Sequence, residues 1–392
     1  MNQILSSYKG KKVFITGHTG FKGSWLTYLL TELGAEVRGF SLAMDTDPNH
    51  FSLLNLKNKI DHVQLDQLSS ISADLLFECL PICYLEGFNA INDLTSKLPW
   101  PKKPKFIYTC NQFATNEIFK YWVANQIDLG TKYFVGQHGG TYGTDCYKQP
   151  SIEEHTSDKF LTWGWTGPLP QHTPAFIFKA INKNVEMKKK QSIKSTGGLL
   201  LTQDMYYHRI DTWDRSADYK EYFNDHVQFV KKLALSQREH LTIRLHPTYR
   251  YRSPYEEERW HDVDPSLVID KGSTDIKKLI AQSRLVVHGY DSTGILEALA
   301  LNTPCIAFWR DGFDHLNDFA KPYYQILVEA GIVHLSPESA AQHVDRVWPD
   351  VEEWWWQKDV QDARSKFTSF FAKPSKNPVK ELKKIFHTSI RH

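Results

Sequence analysis

The chain has 392 residues, of which 23% are charged and 41% hydrophobic, and its formal net charge is +2. At roughly 150 residues per domain, this length predicts two domains with a cleft between them. The balanced charge gives no reason to expect a nucleic-acid partner. The five cysteines include no CxxC pair, which argues against a disulfide framework and a zinc knuckle.

Charge and hydropathy also bear on location. The first residues lack the apolar core of a signal peptide, and no run approaches the ~18 apolar residues of a membrane span. We therefore expect a cytoplasmic protein. Basic residues gather at 187–190 and again at Lys380, Lys383, Lys384 and Arg391. A solvated linker and a basic tail explain them most simply, and peripheral contact with the anionic inner-membrane surface is the alternative.

Short apolar runs alternate with helical periodicities along the chain. The predicted strands are residues 12–16, 36–40, 105–109, 132–136, 198–202, 241–245, 284–287 and 304–308. The predicted helices are residues 24–33, 117–129, 219–235, 274–281 and 294–301. Such alternation is typical of parallel sheets covered on both faces, so we expect an α/β protein of two Rossmann-like domains.

The predicted domain boundaries follow from this pattern. Residues 1–64 form a first βαβ segment, which we expect to belong to the N-terminal sheet. Residues 65–185 and 195–350 form the N-terminal and C-terminal Rossmann-like domains, and 351–392 form C-terminal helices with a basic tail. The polar stretch 180–196 connects the two domains.

A glycine-rich turn follows the first predicted strand. Gly17, Gly20 and Gly23 have the spacing of a dinucleotide-binding turn, in which backbone approaches a pyrophosphate at a helix N-terminus. The stretch from about residue 8 to 63, with HTGFKGSWL, ELGAEVRGFSL and FSLLNL, resembles the start of CDP-glucose 4,6-dehydratases. That resemblance implies an NAD-dependent sugar-nucleotide dehydratase of the extended short-chain dehydrogenase family.

The remaining sequence argues against dehydratase chemistry. The family resemblance calls for a downstream Tyr-x-x-x-Lys pair, and the spacing occurs here only from Tyr8 to Lys12, ahead of the glycine turn. We therefore interpret residues 1–64 as a dehydratase-like segment joined to another protein, and expect no requirement for NAD(P). Two alternatives stay open: the turn binds nothing, or it retains dinucleotide binding.

Two predicted strand ends in the C-terminal half carry candidate phosphate ligands. Arg244 and His246 lie at the end of one strand, where ligands of open parallel sheets bind, and both can donate to phosphate oxygens. The alternative for His246 is a buried structural histidine. Another strand runs into Ser292, Thr293 and Gly294 at the start of a helix, which predicts an anion site, and plain N-capping of the helix is the alternative.

Glu297 is placed one turn into the same helix, where its carboxylate could grip ribose hydroxyls. This helix resembles the nucleotide-binding helix of two-domain, GT-B-type glycosyltransferases. The His-Pro pair with the Ser/Thr pair resembles that of bacterial sialyl- and Kdo-transferases, which use CMP-activated acidic sugars.

Residues from about 75 to 372 resemble transferases of O-antigen and other surface-polysaccharide loci. The resemblance is carried by residues 137–143 (QHGGTYG), 158–165 (DKFLTWGW), 302–309 (NTPCIAFW), 351–355 (VEEWW) and 363–367 (ARSKF). It implies a GT-B-like glycosyltransferase with a nucleotide-sugar donor, such as CMP-Kdo, and a glycan or lipid-linked glycan acceptor in capsule or lipopolysaccharide biosynthesis.

The acceptor side is expected near the end of the strand 132–136. Gln137, Gly139 and Gly140 surround His138, and the glycines let backbone amides approach a ligand. His138 is a candidate general base, and Glu154 and Asp158 are its competitors. A histidine that orients the loop or binds phosphate is equally compatible with the sequence.

Two further features leave alternatives. Trp163 and Trp165 could form a sugar-stacking platform or simply pack in the core. The Asp-x-Asp tripeptides at 45–47 and 262–264 have the spacing of a diphosphate-metal site, but such tripeptides are common by chance, so we predict no metal. Hydrogen bonds from an anion site can stabilise a leaving phosphate instead.

Glycosyl transfer is therefore the preferred hypothesis. The alternatives are an NAD-dependent dehydratase-like protein, based on residues 1–64 alone, and a non-catalytic nucleotide-sugar-binding fusion.

Overall fold

A computed structural model describes residues 8–41, 44, 48–64, 82–146, 150–180, 198–203, 219–251 and 255–390. The predicted linker at 180–196, the Asp45–Asp47 tripeptide and Arg391 therefore lie wholly or almost wholly outside the described residues. The chain folds as two compact units, residues 1–96 and 97–392. The domain boundaries given above stay predictions.

The described strands are β1 Lys12–Thr16, β2 Glu36–Ser41, β3 Asp61–Gln64, β4 Phe106–Thr109, β5 Lys132–Gly136, β6 Lys159–Thr162, β7 His172–Pro174, β8 Gly198–Thr202, β9 Leu241–Arg244, β10 Val268–Asp270, β11 Ser283–His288, β12 Cys305–Phe308 and β13 Val333–His334. The described α-helices are α1 Phe21–Glu32, α2 His50–Leu53, α3 Phe88–Ser96, α4 Gln112–Thr115, α5 Glu117–Asp128, α6 Ile152–Thr156, α7 Tyr219–Lys232, α8 Leu235–Arg238, α9 Glu256–Val263, α10 Ile276–Gln282, α11 Thr293–Ala300, α12 Lys321–Glu329, α13 Pro337–Val347, α14 Val351–Trp355, α15 Lys358–Phe371 and α16 Pro378–Ile390. Among these helices, none combines the length and apolar character needed to cross a lipid bilayer.

The first unit contains a three-stranded parallel sheet in the order β1-β2-β3. Its small core consists of Ile15, Leu30, Ala35 and Val37. The strand-turn-helix-strand pattern predicted from the sequence is confirmed for β1, α1 and β2.

The second unit contains a six-stranded parallel sheet in the order β10-β9-β8-β11-β12-β13. Counted from β8, this is the strand order 3-2-1-4-5-6 of the Rossmann fold, which reverses direction between β8 and β11. The central strand β11 carries Leu285, Val286 and Val287, all fully buried, because a central parallel strand is covered on both faces.

A four-stranded parallel sheet, β4-β5-β6-β7, precedes it in the same unit. Alternation along β5 divides its contacts: Tyr133 and Val135 join the large core, whereas Phe134 packs on the opposite face. There α16 crosses the sheet, and the ring of Phe386 stacks on Phe106 with centroids 4.8 Å apart. Helices therefore cover both faces of this sheet.

The carboxyl ends of the two sheets meet. The turn that follows β5 contacts the start of α11, which follows β11. Two Rossmann-like parallel sheets facing each other at their carboxyl ends is the GT-B arrangement, so the predicted fold class is confirmed. The sequence did not reveal β3, β6, β7, β10 and β13.

Two buried histidines lie beside each other at one edge of the six-stranded sheet, His334 in the edge strand β13 and His343 in α13. His334 contacts Ser339 Oγ through Nδ1 at 3.0 Å, and its ring lies 4.9 Å from that of His343. His343 Nδ1 accepts a hydrogen bond from Arg346, at 2.6 Å. Burial lowers the pKa of His334 to about 4 and that of His343 to about 3.

These histidines predict that stability falls in acid. In the unfolded chain these two histidines are protonated below about pH 6.5, whereas in the folded chain they stay neutral down to about pH 4. Acid therefore favours the unfolded chain, and stability is lost as the pH falls through this window. His343→Gln should remove about 2 kcal/mol of the loss between pH 7 and pH 5. Urea unfolding followed by tryptophan fluorescence measures this. The exposed His261→Gln is the control, and equal pH slopes for the two variants would contradict the prediction.

Candidate active site

The turn after β5 reaches the first residue of α11. Gly140 N–H donates to Thr293 Oγ1 at 2.8 Å. A Cβ atom built on Gly139 would lie 3.5 Å from the same hydroxyl, and one on Gly140 would lie 3.5 Å from Thr293 N. The structure therefore brings together Gly139 and Gly140 from the expected acceptor side and Thr293 from the expected donor side.

Ser292 caps α11. It has extended backbone, and its Oγ accepts from Ile295 N–H at 3.3 Å. The cap satisfies one of the N–H groups that a helix start leaves without an intrahelical partner, and those of Thr293 and Gly294 precede it. Gly294 must lack a side chain because a Cβ there would lie 2.9 Å from His288 Cε1.

The side chain of Gln137 is almost wholly buried, and its hydrogen bonds hold the turn after β5 in place. Its carbonyl Oε1 accepts from Trp163 N–H and from Trp165 Nε1–H, each at 2.9 Å, and its amide donates to Gly139 O at 2.9 Å. Trp163 and Trp165 are also buried. Trp163 packs in the core, whereas Trp165, although buried, also lines the cavity described below.

His138 lies exposed above this turn and rests on a short relay. Tyr142 Oη donates to Glu153 Oε1 at 2.6 Å and lies 3.3 Å from His138 Nδ1. Since the tyrosine proton is directed to Glu153, its oxygen is the acceptor toward His138. In a neutral His138 ring this contact favours the proton on Nδ1, with the lone pair on Nε2. Burial, together with Glu153, raises the pKa of Tyr142 far above its ordinary value, so it stays a neutral donor.

Glu154 and Asp158 are not grouped with His138. Glu154 forms a capping box with Ser151 and accepts from His172 Nε2 at 3.1 Å. Burial alone would raise the pKa of Glu154, but the bonds from His172 and Ser151 outweigh it and lower that pKa. Asp158 precedes β6 at the amino edge of the sheet, where it accepts from Lys132 Nζ and Tyr133 N–H.

The turn also docks on residues 315–317. Cys146 N–H donates to His315 O, while Asn317 donates to Thr144 O and Gly143 O. Thr141 and Gly143 adopt positive φ angles of 69° and 76° on either side of Tyr142. Positive φ is strained for threonine and persists only where the surroundings impose it.

A buried network missed by the sequence analysis supports this docking. Asp291 Oδ2 accepts from Tyr324 Oη at 2.7 Å and contacts His315 Nε2 at 3.2 Å. The pKa of Tyr324 is raised well above its usual value, first by burial and then by Asp291. Asp291 stands next to the cap residue Ser292 in the sequence, which was the available signal.

A cavity of about 600 Å³ opens beside the docked turn. Tyr142, Glu154 and His172 line it from one side, and Asn317 and Lys321 line it from the other. Both polar and charged groups therefore face this space.

Arg244 and His246 lie at the carboxyl end of β9. Arg244 forms a buried ion pair with Asp270. Thr248 N–H donates to His246 Nδ1 at 3.3 Å, so the proton of neutral His246 lies on Nε2. Because β8 separates β9 from β11, strand spacing puts these ends about 10 Å apart.

Glu297 and His288 complete the described strand-end residues. Glu297 lies 3.8 Å from Lys179, which belongs to the 3-10 turn Phe178–Ala180 of the facing half. His288, another residue that sequence reasoning missed, is buried, and its Nδ1 lies 3.0 Å from Thr202 Oγ1. Within the described part of the chain its Nε2 has no hydrogen-bond partner. Burial lowers its pKa to about 4.

The glycine turn of the first unit keeps its tight geometry. Gly17 has a φ of 71°, and a Cβ on Gly23 would lie 2.0 Å from Gly17 O. Gly20 precedes α1 without a side-chain cap. Whether the turn binds a nucleotide stays a prediction.

The described residues contain no group of three or more His, Cys, Asp or Glu side chains arranged to hold a metal. Asp264, from the second Asp-x-Asp tripeptide, accepts from Ser266 N–H at 2.9 Å.

The model of the LIC12162 family transferase matches residues 1–386. The chain belongs to the LIC12162 transferase family. Over 54 residues this transferase is 50% identical to CDP-glucose 4,6-dehydratase of Salmonella typhimurium, a match that covers 14% of the chain and only 15% of the dehydratase.

Solved structures similar to this transferase include MurG of Acinetobacter baumannii, at 13% identity and a TM-score of 0.43, covering 96% of this chain and 99% of MurG. WaaG, a glycosyltransferase involved in lipopolysaccharide biosynthesis, has 13% identity and a TM-score of 0.34, with 96% of each chain covered. The wall teichoic acid polymerase TagF has 10% identity and a TM-score of 0.36, covering 97% of this chain and 88% of TagF.

The relay makes a prediction about His138 in the transferase. We expect the Nδ1–H tautomer, and Tyr142→Phe should shift it toward Nε2–H because the acceptor oxygen is lost. Long-range proton–nitrogen NMR of histidine-labelled protein reads the tautomer, and loss of the signals in His138→Gln assigns them. Tyr108→Phe is the control. An Nε2–H tautomer in the unaltered protein would refute the relay.

Proposed function

We propose that this transferase moves a sugar from a nucleotide-activated donor to a growing surface glycan. The observation that carries the proposal is the contact of Gly140 N–H with Thr293 Oγ1, because it joins the turn bearing His138 to the helix start that suits a phosphate. Membership of a transferase family supports the same class of reaction.

In the proposed reaction, His138 Nε2 takes the proton of an acceptor hydroxyl, whose oxygen attacks the anomeric carbon of the donor. The bond from that carbon to the nucleotide phosphate breaks, and the nucleotide leaves with the electron pair. Ser292, Thr293 and the first N–H groups of α11 stabilise the leaving phosphate. The Nε2–H of His246 supplies a further donor.

Three assignments within this proposal rest on position. Arg244 sits beside His246 and would strengthen the positive potential there, although it is already paired with Asp270. Glu297 would hold the ribose. The cavity lined by Tyr142 and Lys321 would hold part of the acceptor, whose reacting hydroxyl would extend past Tyr142 to His138.

The donor that we favour is CMP-linked Kdo or a related acidic sugar, and the acceptor a lipopolysaccharide or another surface polysaccharide, lipid-linked or free. The support is the pairing of His246-Pro247 with Ser292-Thr293, which resembles that of CMP-dependent transferases. This scheme calls for no metal and no NAD(P), because the hydrogen-bond donors at the start of α11 would stabilise the leaving phosphate.

Thermal unfolding with CMP, CDP, UDP, GDP or NAD tests the proposal. A nucleotide at 100 times its Kd stabilises the native state by about 2.7 kcal/mol, which raises Tm by several degrees. We expect the largest shift with CMP or CDP. His246→Ala should abolish it, whereas His240→Ala, at the amino end of the same strand, should not.

The alternative dehydratase-like function has one observation in its favour, the retained turn at Gly17 and Gly23. Stabilisation by NAD and by none of the other nucleotides would therefore overturn glycosyl transfer. Stabilisation by CMP without any transfer to glycan acceptors would favour the non-catalytic fusion.

A further inference from the structure

Six exposed lysines lie along the amino edge of the four-stranded sheet and the outer face of α16. They are Lys102, Lys103, Lys105, Lys380, Lys383 and Lys384. As far as the structure describes the chain, none of the six forms an ion pair with a carboxylate. The carboxylates described along this edge and on α16 are Asp128, Asp158 and Glu381, and Asp158 is already paired with Lys132. Lysines therefore outnumber carboxylates, and the surface is positive.

Packing brings the two groups of lysines together. Lys105 precedes Phe106, the first residue of β4, and the ring of Phe106 stacks on Phe386 of α16. Phe386 also stacks on Phe134, with centroids 5.4 Å apart. The apolar face of α16 is therefore occupied by the sheet, and its lysines are left to solvent.

A protruding leucine adjoins the lysines. Leu129 ends α5 and is 70% exposed. Gly130, at a φ of 88°, turns the chain, and Thr131 Oγ1 donates to Pro104 O at 3.3 Å. This bond places the turn of Leu129 next to the loop that carries Lys103 and Lys105.

We propose that this basic edge, formed by the six lysines and Leu129, docks the protein on an anionic lipid surface. Lysines near such a surface gain from its negative potential, and a leucine beside them can enter the boundary between head groups and acyl chains. A dissolved polyanion would attract the lysines but would offer no apolar environment for the exposed leucine. The docking does not depend on the proposed sugar transfer.

Co-sedimentation of the full-length protein with mixed phosphatidylglycerol and phosphatidylcholine vesicles tests this. Binding should require phosphatidylglycerol and be lost at about 0.5 M salt. Each lysine is expected to raise the affinity for the vesicles about fivefold. The triple variant Lys380→Ala, Lys383→Ala, Lys384→Ala should therefore bind about a hundredfold more weakly. A control with equal charge change is Lys231→Ala, Lys232→Ala, Lys278→Ala, which alters exposed helical lysines elsewhere.

Leu129→Ser separates lipid from other polyanions. It should weaken vesicle binding about tenfold and leave retention on heparin unchanged. Equal vesicle binding by the two triple variants, or binding that ignores phosphatidylglycerol, would overturn the proposal. The proposal would also be overturned if Leu129→Ser bound vesicles as well as the unaltered protein did and heparin displaced it from them. Thermal melts of each variant verify that it is folded.

Discussion

The side-chain amide of Gln137 is buried beneath the turn after β5, where it accepts from two tryptophan N–H groups and donates to Gly139 O. A buried donor left unsatisfied costs about 1–3 kcal/mol, so the amide can adopt only the orientation that serves both tryptophans. That orientation determines where Gly139 lies, and thereby how His138 and Gly140 are presented at the carboxyl edge.

From this turn, contacts run to both sides of the crevice. Gly140 N–H donates to Thr293 at the start of α11, and Tyr142 links Glu153 to His138 in the turn after β5. The strained backbone at Thr141 is held because residues 143–146 bond to residues 315–317. The proposed base His138 and the proposed phosphate site at Thr293 are thus linked through one short segment.

In the first unit, local sequence similarity to a dehydratase does not bring the residues of dehydratase chemistry with it. Its glycine turn keeps the close approach of Gly23 to Gly17 O, as the dehydratase resemblance implies. Dehydratase chemistry, as that resemblance implies it, needs a Tyr-x-x-x-Lys pair downstream of the turn, and this sequence has none there. The transferase family match spans residues 1–386 and so includes the first unit. A backbone turn is specified locally, whereas an active site needs distant residues.

The sequence by itself determined the strong elements, since the apolar runs of β5, β8, β9, β11 and β12 and the periodicity of α5 and α11 need no tertiary context. It also predicted which strand ends carry polar residues, because parallel strands place their carboxyl ends at one edge. The strands β3, β6, β7, β10 and β13 were not predicted, and β7, β10 and β13 have only two or three residues, which carry too little pattern.

Only the tertiary structure decided which of these polar residues meet. Arg244 is engaged by Asp270 from the neighbouring strand, Asp158 turns out to lie at the opposite edge from His138, and Glu154 is bound by Ser151 and His172. Spacing along the chain does not predict such pairings, because partners such as Gly140 and Thr293 are brought together by the packing of separate sheets. Burial, which sets the proton affinity of Tyr142 and His288, likewise exists only once the chain is folded.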